Sequence, residues 1–305
     1  MKTRNTILTG CLCALGCETI YGMSYVFTKQ ATDCASSLAL LGWRFIIAAF
    51  AMTLCAMVGV IKINLKGKNL KTILLVAIFN PVIYFVGETI GIIHTTASES
   101  GAFLACIPVA SLLASTILLH EKPTKAQVTG ISVTLVGVGI TVFAVGISSS
   151  LSFVGYLMLV VAVTSYALYC VFVEKATDYT SGEITYVMLL AGAILFGTLA
   201  VGEGIMNQGV ADLVSLPFRN LDFGVAILYQ GLGSSVAGFL LSNMAISRIG
   251  VNATSAFIGV STVVSILAGA LLLHESFTLY QGIGAVVIVA GVYIANLRFK
   301  KNEGV

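Results

Sequence analysis

Charge is scarce in this sequence: only 10% of its 305 residues are Asp, Glu, Lys or Arg, where a soluble domain carries roughly 25%. That shortage excludes a water-soluble globular fold, and the small net charge of +3 asks for no nucleic-acid partner. Histidine is rarer still. His94, His120 and His274 are the three present, each at an expected helix end and too scattered to ligate a metal. Of the seven cysteines, Cys11, Cys13, Cys17, Cys55, Cys106 and Cys170 fall within apolar runs, where a thiol behaves as a small hydrophobe. Cys34 alone lies in a loop, so no disulfide framework is implied. Cys11, Cys13 and Cys17 have no further ligand at metal spacing except Glu18, so neither metal nor cofactor is expected. No nucleotide-binding motif occurs, and glycine-rich runs such as GLGSS follow no strand and read as close helix packing. No Ser/His or paired-acid arrangement has catalytic spacing, so no enzyme is expected.

What the sequence has in abundance is apolar length. Hydrophobic residues make up 58% of the chain and the mean hydropathy is +1.01. Segments of about 20 residues, long enough for a hydrocarbon core of about 30 Å, recur throughout. Ten are expected, at 6–28, 37–60, 70–93, 97–119, 126–147, 151–173, 183–205, 221–245, 251–273 and 278–298. An even number puts both termini on one side. All but Lys29, Arg44 and Arg219 of the 16 Lys and Arg residues fall on that side, which predicts cytoplasmic termini in a multi-pass cell-membrane protein. Leu8-Thr9-Gly10-Cys11 has the look of a lipoprotein cleavage box. The apolar run before Cys11 is too short for a signal core and continues past Cys17, so the first segment reads as a retained helix.

The chain repeats itself. SGAFLACIPVASLLASTILLHEKPTKAQVTG, from Ser100, matches TSAFIGVSTVVSILAGALLLHESFTLYQGIG, from Thr254, without a gap. His120-Glu121 falls on His274-Glu275, Gln127 on Gln281 and Gly130 on Gly284. YGMSYVFTKQATD, from Tyr21, matches YALYCVFVEKATD, from Tyr166. Two five-helix units follow, 1–147 and 151–298, with a short tail at 299–305. Five is odd, so the second unit enters the membrane from the opposite side. The expected fold is therefore an all-α membrane protein of ten helices in two inverted-topology repeats, a design that can expose one central site to either face in turn.

Polar residues inside these segments are the functional candidates, since an ionisable group at mid-membrane costs roughly 2.5–3.5 kcal/mol on insertion scales. Glu18 sits about twelve residues, or roughly 18 Å, into the first helix, and no basic residue matches its depth. It is read either as a protonated, hydrogen-bonded acid or as a proton- or substrate-binding group. Tyr21, Gly22 and Tyr25 share its face. In the second repeat Tyr166 matches Tyr21, but Val163 stands where Glu18 does. Arg44, after Trp43 in the second helix, and Glu88, in GETIG of the third, have similar depth, and an ion pair clamping two helices is one reading of them. Tyr84, Tyr166, Tyr169 and Tyr229 with Gln230 supply ring faces and polar atoms for a cation or aromatic solute, or serve as interfacial anchors. Asn80-Pro81 and Pro108 read as kinks in the third and fourth helices, opening a cavity or simply packing. Their repeat equivalents, Ser234-Ser235 and Thr262, are polar and expected not to kink. Glu99 reads as a helix N-terminal acid or a residue at a cavity mouth.

The first-helix end YGMSYVFTK, the WRF of the second helix, the LLHE closing helices four and nine, and the Gly-spaced GISVTLVGVGI and GIGAVVIVAGV together resemble the ten-helix EamA-type branch of the drug/metabolite transporter superfamily. The resemblance implies a secondary transporter of small organic metabolites, commonly amino acids and often exported. It also implies a cavity lined mainly by helices one, three, four, six, eight and nine. The superfamily's four-helix multidrug members carry an essential acid in a similar first-helix stretch; here Cys17-Glu18-Thr19-Ile20-Tyr21-Gly22 has one extra residue before the glycine. The expected partners are a small solute, the bilayer and protons, with the protein a monomer or homodimer. A zwitterionic amino acid fits best, Glu18 meeting its ammonium and Arg44 its carboxylate, with an organic cation as the alternative. A non-transporting membrane sensor is the reading from a different class.

Overall fold

The structure, a computed structural model, describes residues 4–95, 97–145, 152–207, 209–274 and 278–297. The tail at 299–305, Glu275 and the side chain of Glu99 lie outside the described residues. Among the described residues the secondary structure is helical. The helices are α1 Arg4–Thr32, α2 Ser37–Met57, α3 Leu70–His94, α4 in two pieces (Ala97–Leu104 and Ile107–Leu118), and α5 Lys125–Val145. They continue with α6 Phe153–Lys175, α7 Ser181–Met206, α8 Val210–Arg219, α9 Leu221–Ile249, α10 Val251–Leu272 and α11 Leu279–Asn296. Nine described helices are long and apolar enough to cross a membrane, and α4 supplies a tenth crossing in two pieces.

The ten-residue α8 is not among the ten expected segments, because it is too short to span and pairs Asp212 with Arg219 at 2.9 Å. It lies between α7 and α9, held to the bundle where the Trp43 indole N–H donates to the Leu213 carbonyl at 2.9 Å.

Packing follows the internal repeat. Omitting α8, the equivalents are α1 and α6, α2 and α7, α3 and α9, α4 and α10, α5 and α11. Helix α1 packs on α9 and α10, while α6 packs on α3 and α4; α2 packs on α7 and α5 on α11. Each half thus embraces the other through equivalent helices, as an inverted pair requires.

Two seams rely on missing side chains. A Cβ at Gly291 would run into Thr134 Oγ1 and lie 2.7 Å from the Gly130 carbonyl, and one at Gly137 would lie 2.8 Å from the Gly284 carbonyl. Glycine therefore lets α5 and α11 touch backbone to backbone. Between α2 and α7, the fully buried Phe45 ring fills the notch left by Gly192.

The helices are interrupted in equivalent places, which corrects the expectation that only the proline-bearing half bends. In α3 the backbone leaves helical values at Asn80 (φ −144°, ψ 117°), just before Pro81. Its counterpart α9 is wound wide across Tyr229–Gly238, through Ser234-Ser235. Helix α4 tightens where the Cys106 N–H donates to the Phe103 carbonyl at 2.9 Å, and Pro108 then sits in the first turn of the second piece, where it lacks no donor. Helix α10 has no proline, yet successive i→i+3 bonds from Phe257 to Ser261 break it near the same repeat position. Glycine and serine unwind the second half where proline does so in the first.

The LLHE ends of α4 and α10 also match. His120 and His274 both adopt left-handed backbone (φ 56° and 53°) and terminate their helices.

Candidate functional site

Helices α1, α2, α3, α6 and α9 bring a buried polar cluster together from both halves. Glu18, on α1, is 4% exposed. The Ser261 hydroxyl of α10 faces its carboxyl and itself donates to the Ile258 carbonyl at 2.7 Å. Among the described residues, no basic side chain forms an ion pair with Glu18. Tyr21, Tyr84, Tyr166 and Tyr169 all lie within its electrostatic reach.

Tyr84, Tyr166 and Tyr169 form a continuous aromatic run. Tyr84 and Tyr166 meet edge to face at 5.4 Å, as do Tyr166 and Tyr169. Tyr84 also meets Phe85 at 5.0 Å, and Phe85 meets Phe45 at 5.4 Å. Tyr21 approaches from α1 and occupies the space that a side chain at Gly238 would need. The Tyr169 hydroxyl donates to Asn243 Oδ1 at 2.7 Å, and Asn243 Nδ2 donates to Thr185 Oγ1 at 3.0 Å.

Arg44 and Glu88 join this cluster without the expected ion pair. The Arg44 Nε donates to Ser235 Oγ at 2.7 Å, and its guanidinium lies 4.9 Å from the Phe85 ring centre and 5.5 Å from that of Phe45. The Glu88 carboxylate accepts the Tyr84 hydroxyl at 2.7 Å. Glu88 remains within electrostatic reach of Arg44, as do Tyr21 and Tyr84. Arg44 and Glu88 share a compartment, and each bonds a neutral partner, Ser235 and Tyr84 respectively.

The other candidates lie apart. Trp43 faces Leu213, as described above. The Tyr229 hydroxyl donates to the Ile20 carbonyl at 3.0 Å, and its ring stacks on Phe27 at 4.0 Å. Gln230 is fully buried; its Nε2 donates to the Ser24 carbonyl at 2.9 Å and to Thr28 Oγ1 at 2.6 Å. Asn80 is buried at the α3 break with its Oδ1 unbonded, and Tyr25 is 44% exposed. Sequence reasoning passed over Asn243, Thr185 and Ser261, whose small polar side chains look ordinary in an apolar helix. It treated Ser235 only as the equivalent of Pro81.

A second polar group ties helices together at the end of the bundle that carries Arg4. Ser115 Oγ on α4 donates to Asn252 Oδ1 on α10 at 2.5 Å, and Asn252 Nδ2 reaches Glu121 Oε2 at 3.4 Å. The Val251 N–H donates to Glu174 Oε2, at the end of α6, at 2.6 Å. Nearby, the buried Glu183 carboxylate on α7 holds Lys68 at 2.7 Å and accepts the Asn64 N–H at 3.0 Å, tying the α2–α3 loop to the second half. Among the described residues, no group of three or more His, Cys, Asp or Glu could hold a metal.

Known proteins share this two-repeat architecture. The EamA-like transporter family model matches residues 8–143 and again 153–297. The chain belongs to the EamA-like transporter family. This EamA-like transporter is 33% identical to the uncharacterized transporter YcxC of Bacillus subtilis (strain 168), over 92% of this chain and 91% of that protein. It is 24% identical to a protein of Streptantibioticus cattleyicolor named "Probable terminal-alkyne amino-acid exporter", over 68% of this chain and 67% of that one. A solved crystal structure shares its fold with a TM-score of 0.76 at 16% identity, covering 97% of this chain and 99% of that one. The EamA-like chain is thus a multi-pass membrane transporter within the drug/metabolite transporter superfamily, and its family is one of transporters rather than enzymes.

Proposed function

We propose that this protein is a secondary transporter that exports small organic metabolites of the amino-acid class by alternating access. Glu18 exchanges a proton for the solute's cationic group. The observation that carries this reading is Glu18 itself: 4% exposed, without an ion-pair partner among the described residues, and within electrostatic reach of four tyrosines contributed by both halves. A carboxyl in that setting can hold a proton or a cation but not both, and competition between the two gives antiport. The tyrosine ring faces suit an ammonium group. The same feature favours organic cations as the second substrate class. The name of the S. cattleyicolor relative supports the amino-acid class.

The excess of Lys and Arg at the Arg4 end supports a cytoplasmic orientation for it, and on that reading the Ser115–Asn252–Glu121 contact and the clasp of Glu174 on Val251 act as the inner gate. Opening that gate breaks these bonds and, through the inverted pairing of the halves, closes the outer one. The test is flux of radiolabelled amino acids into proteoliposomes, with and without a pH gradient, for wild type and Glu18→Gln. Gradient-driven uptake that disappears in Glu18→Gln supports the reading; flux and pH dependence left unchanged by the substitution overturn the coupling role.

A further inference from the structure

We propose that the free edge of Arg44 is a carboxylate-binding subsite and that the transported solute must carry a carboxylate. The inference rests on the transport reading above and specifies the second end of the same site. Arg44 is 9% exposed and anchored in two directions: Nε donates to Ser235 Oγ at 2.7 Å, and the guanidinium lies by the rings of Phe85 and Phe45. Those contacts fix its plane. Nη1 and Nη2 have no described partner.

A guanidinium does not lose its proton, and a buried charge without a counter-ion is unfavourable. Glu88, the carboxylate within electrostatic reach, is bound by Tyr84 instead of closing on it. What remains is a pre-oriented pair of parallel N–H donors, which matches the two oxygens of a carboxylate. Ser235 is fully buried and lies in the widened segment of α9, so the anchor comes from the opposite half to Arg44. The fork's aim therefore depends on how the halves are docked, as expected for a group that grips in one conformation and releases in the other. Tyr21 and Tyr84 lie within electrostatic reach of both Arg44 and Glu18, so with Glu18 taking an ammonium the two groups select a zwitterion.

The experiment is competition for counterflow in proteoliposomes of the full chain. The competitors are the proteinogenic L-amino acids, their carboxamides and the corresponding decarboxylated amines. At least one amino acid should compete, with its carboxamide and amine weaker by at least about tenfold, because a site built to bond a group rejects the analogue lacking it. Arg44→Lys, which keeps the charge but loses the fork, should reduce that discrimination. Ser235→Ala should weaken the acid severalfold and leave the amine unchanged. Because Arg44→Lys could disturb folding, the milder Ser235→Ala carries the same test with Arg44 intact, and size-exclusion chromatography checks both proteins.

Amines or carboxamides that compete as well as the acids would overturn the carboxylate subsite while leaving Glu18-dependent cation transport standing. Acid preference that survives both substitutions would also overturn it, placing the carboxylate elsewhere. Absence of any flux, in wild type as in Glu18→Gln, would overturn the transport reading beneath it.

Discussion

The two halves of this chain are built alike and equipped differently. Helices α1 and α6 occupy equivalent positions, each packed on two helices of the other half. The first half places Glu18 at the cluster, whereas α6 has Val163 at that position, 8% exposed. The clasp at the Arg4 end is one-sided too. Ser115 and Asn252 bond there, and repeat alignment puts Gly269 and Ser98 at the equivalent positions. On the proposed function, symmetry would supply the two conformations, and the asymmetric polar residues would set what is bound and where the bundle is tied.

The largest test of that comparison is to move the acid. Glu18→Gln should lower gradient-driven flux at least about tenfold, the scale of a coupling free energy of 1–3 kcal/mol. Adding Val163→Glu to Glu18→Val should return a measurable pH-dependent flux if the halves are interchangeable around the cluster. Flux that stays absent would mean that the surroundings of Glu18, Ser261 among them, are themselves one-sided.

The α5–α11 seam tests the symmetric part. Gly291→Ala drives a Cβ into Thr134 and the Gly130 carbonyl, and overpacking of this kind costs about 1–3 kcal/mol or more. It should lower thermal stability in detergent sharply. Gly139→Ala on the same α5, with open space around it, should change stability by no more than roughly 0.5–1 kcal/mol, in the stabilising direction.

Removing the clasp should have a smaller effect. Asn252→Ala removes its bonds to Glu121 and to Ser115, whose buried hydroxyl falls back on the Leu112 carbonyl, at a cost of about 0.5–1.5 kcal/mol for each bond. Faster hydrogen–deuterium exchange across residues 249–256 should report it, with exchange in α5 and α11 unchanged. The smallest effect belongs to the matched LLHE ends. At the left-handed position of His120, His120→Gly should leave stability level or raise it slightly, whereas His120→Val should lose about 1–2 kcal/mol. The same pair at His274 should behave alike, and a difference between them would break the equivalence of the two ends.

Much of this was legible in the sequence because its signals are local or repetitive. Apolar length fixed the spans, the match of Ser100–Gly130 with Thr254–Gly284 fixed the duplication, and an odd helix count per unit fixed the inversion. Glu18 stood out because an acid in an apolar run is costly wherever the run ends up. The rest depends on distance across the bundle. The sequence offered Glu88 as the partner of Arg44, since depth was all it could compare; three-dimensional reach gave Arg44 to Ser235 and Glu88 to Tyr84. It marked prolines as the cause of bending, whereas α9 and α10 depart from regular helix without one, because backbone bonds in a packed bundle can be exchanged between turns. It grouped Trp43 and Tyr229 with the site by residue type, and packing turned one toward α8 and the other onto Phe27. The chain by itself determined how many times it crosses the membrane and that it does so as two inverted copies, since burial of apolar length is a property of each segment alone. Only the tertiary structure decided which polar groups meet, because a hydrogen bond forms over about 3 Å between side chains such as those of Thr28 and Gln230, which the sequence holds 202 positions apart.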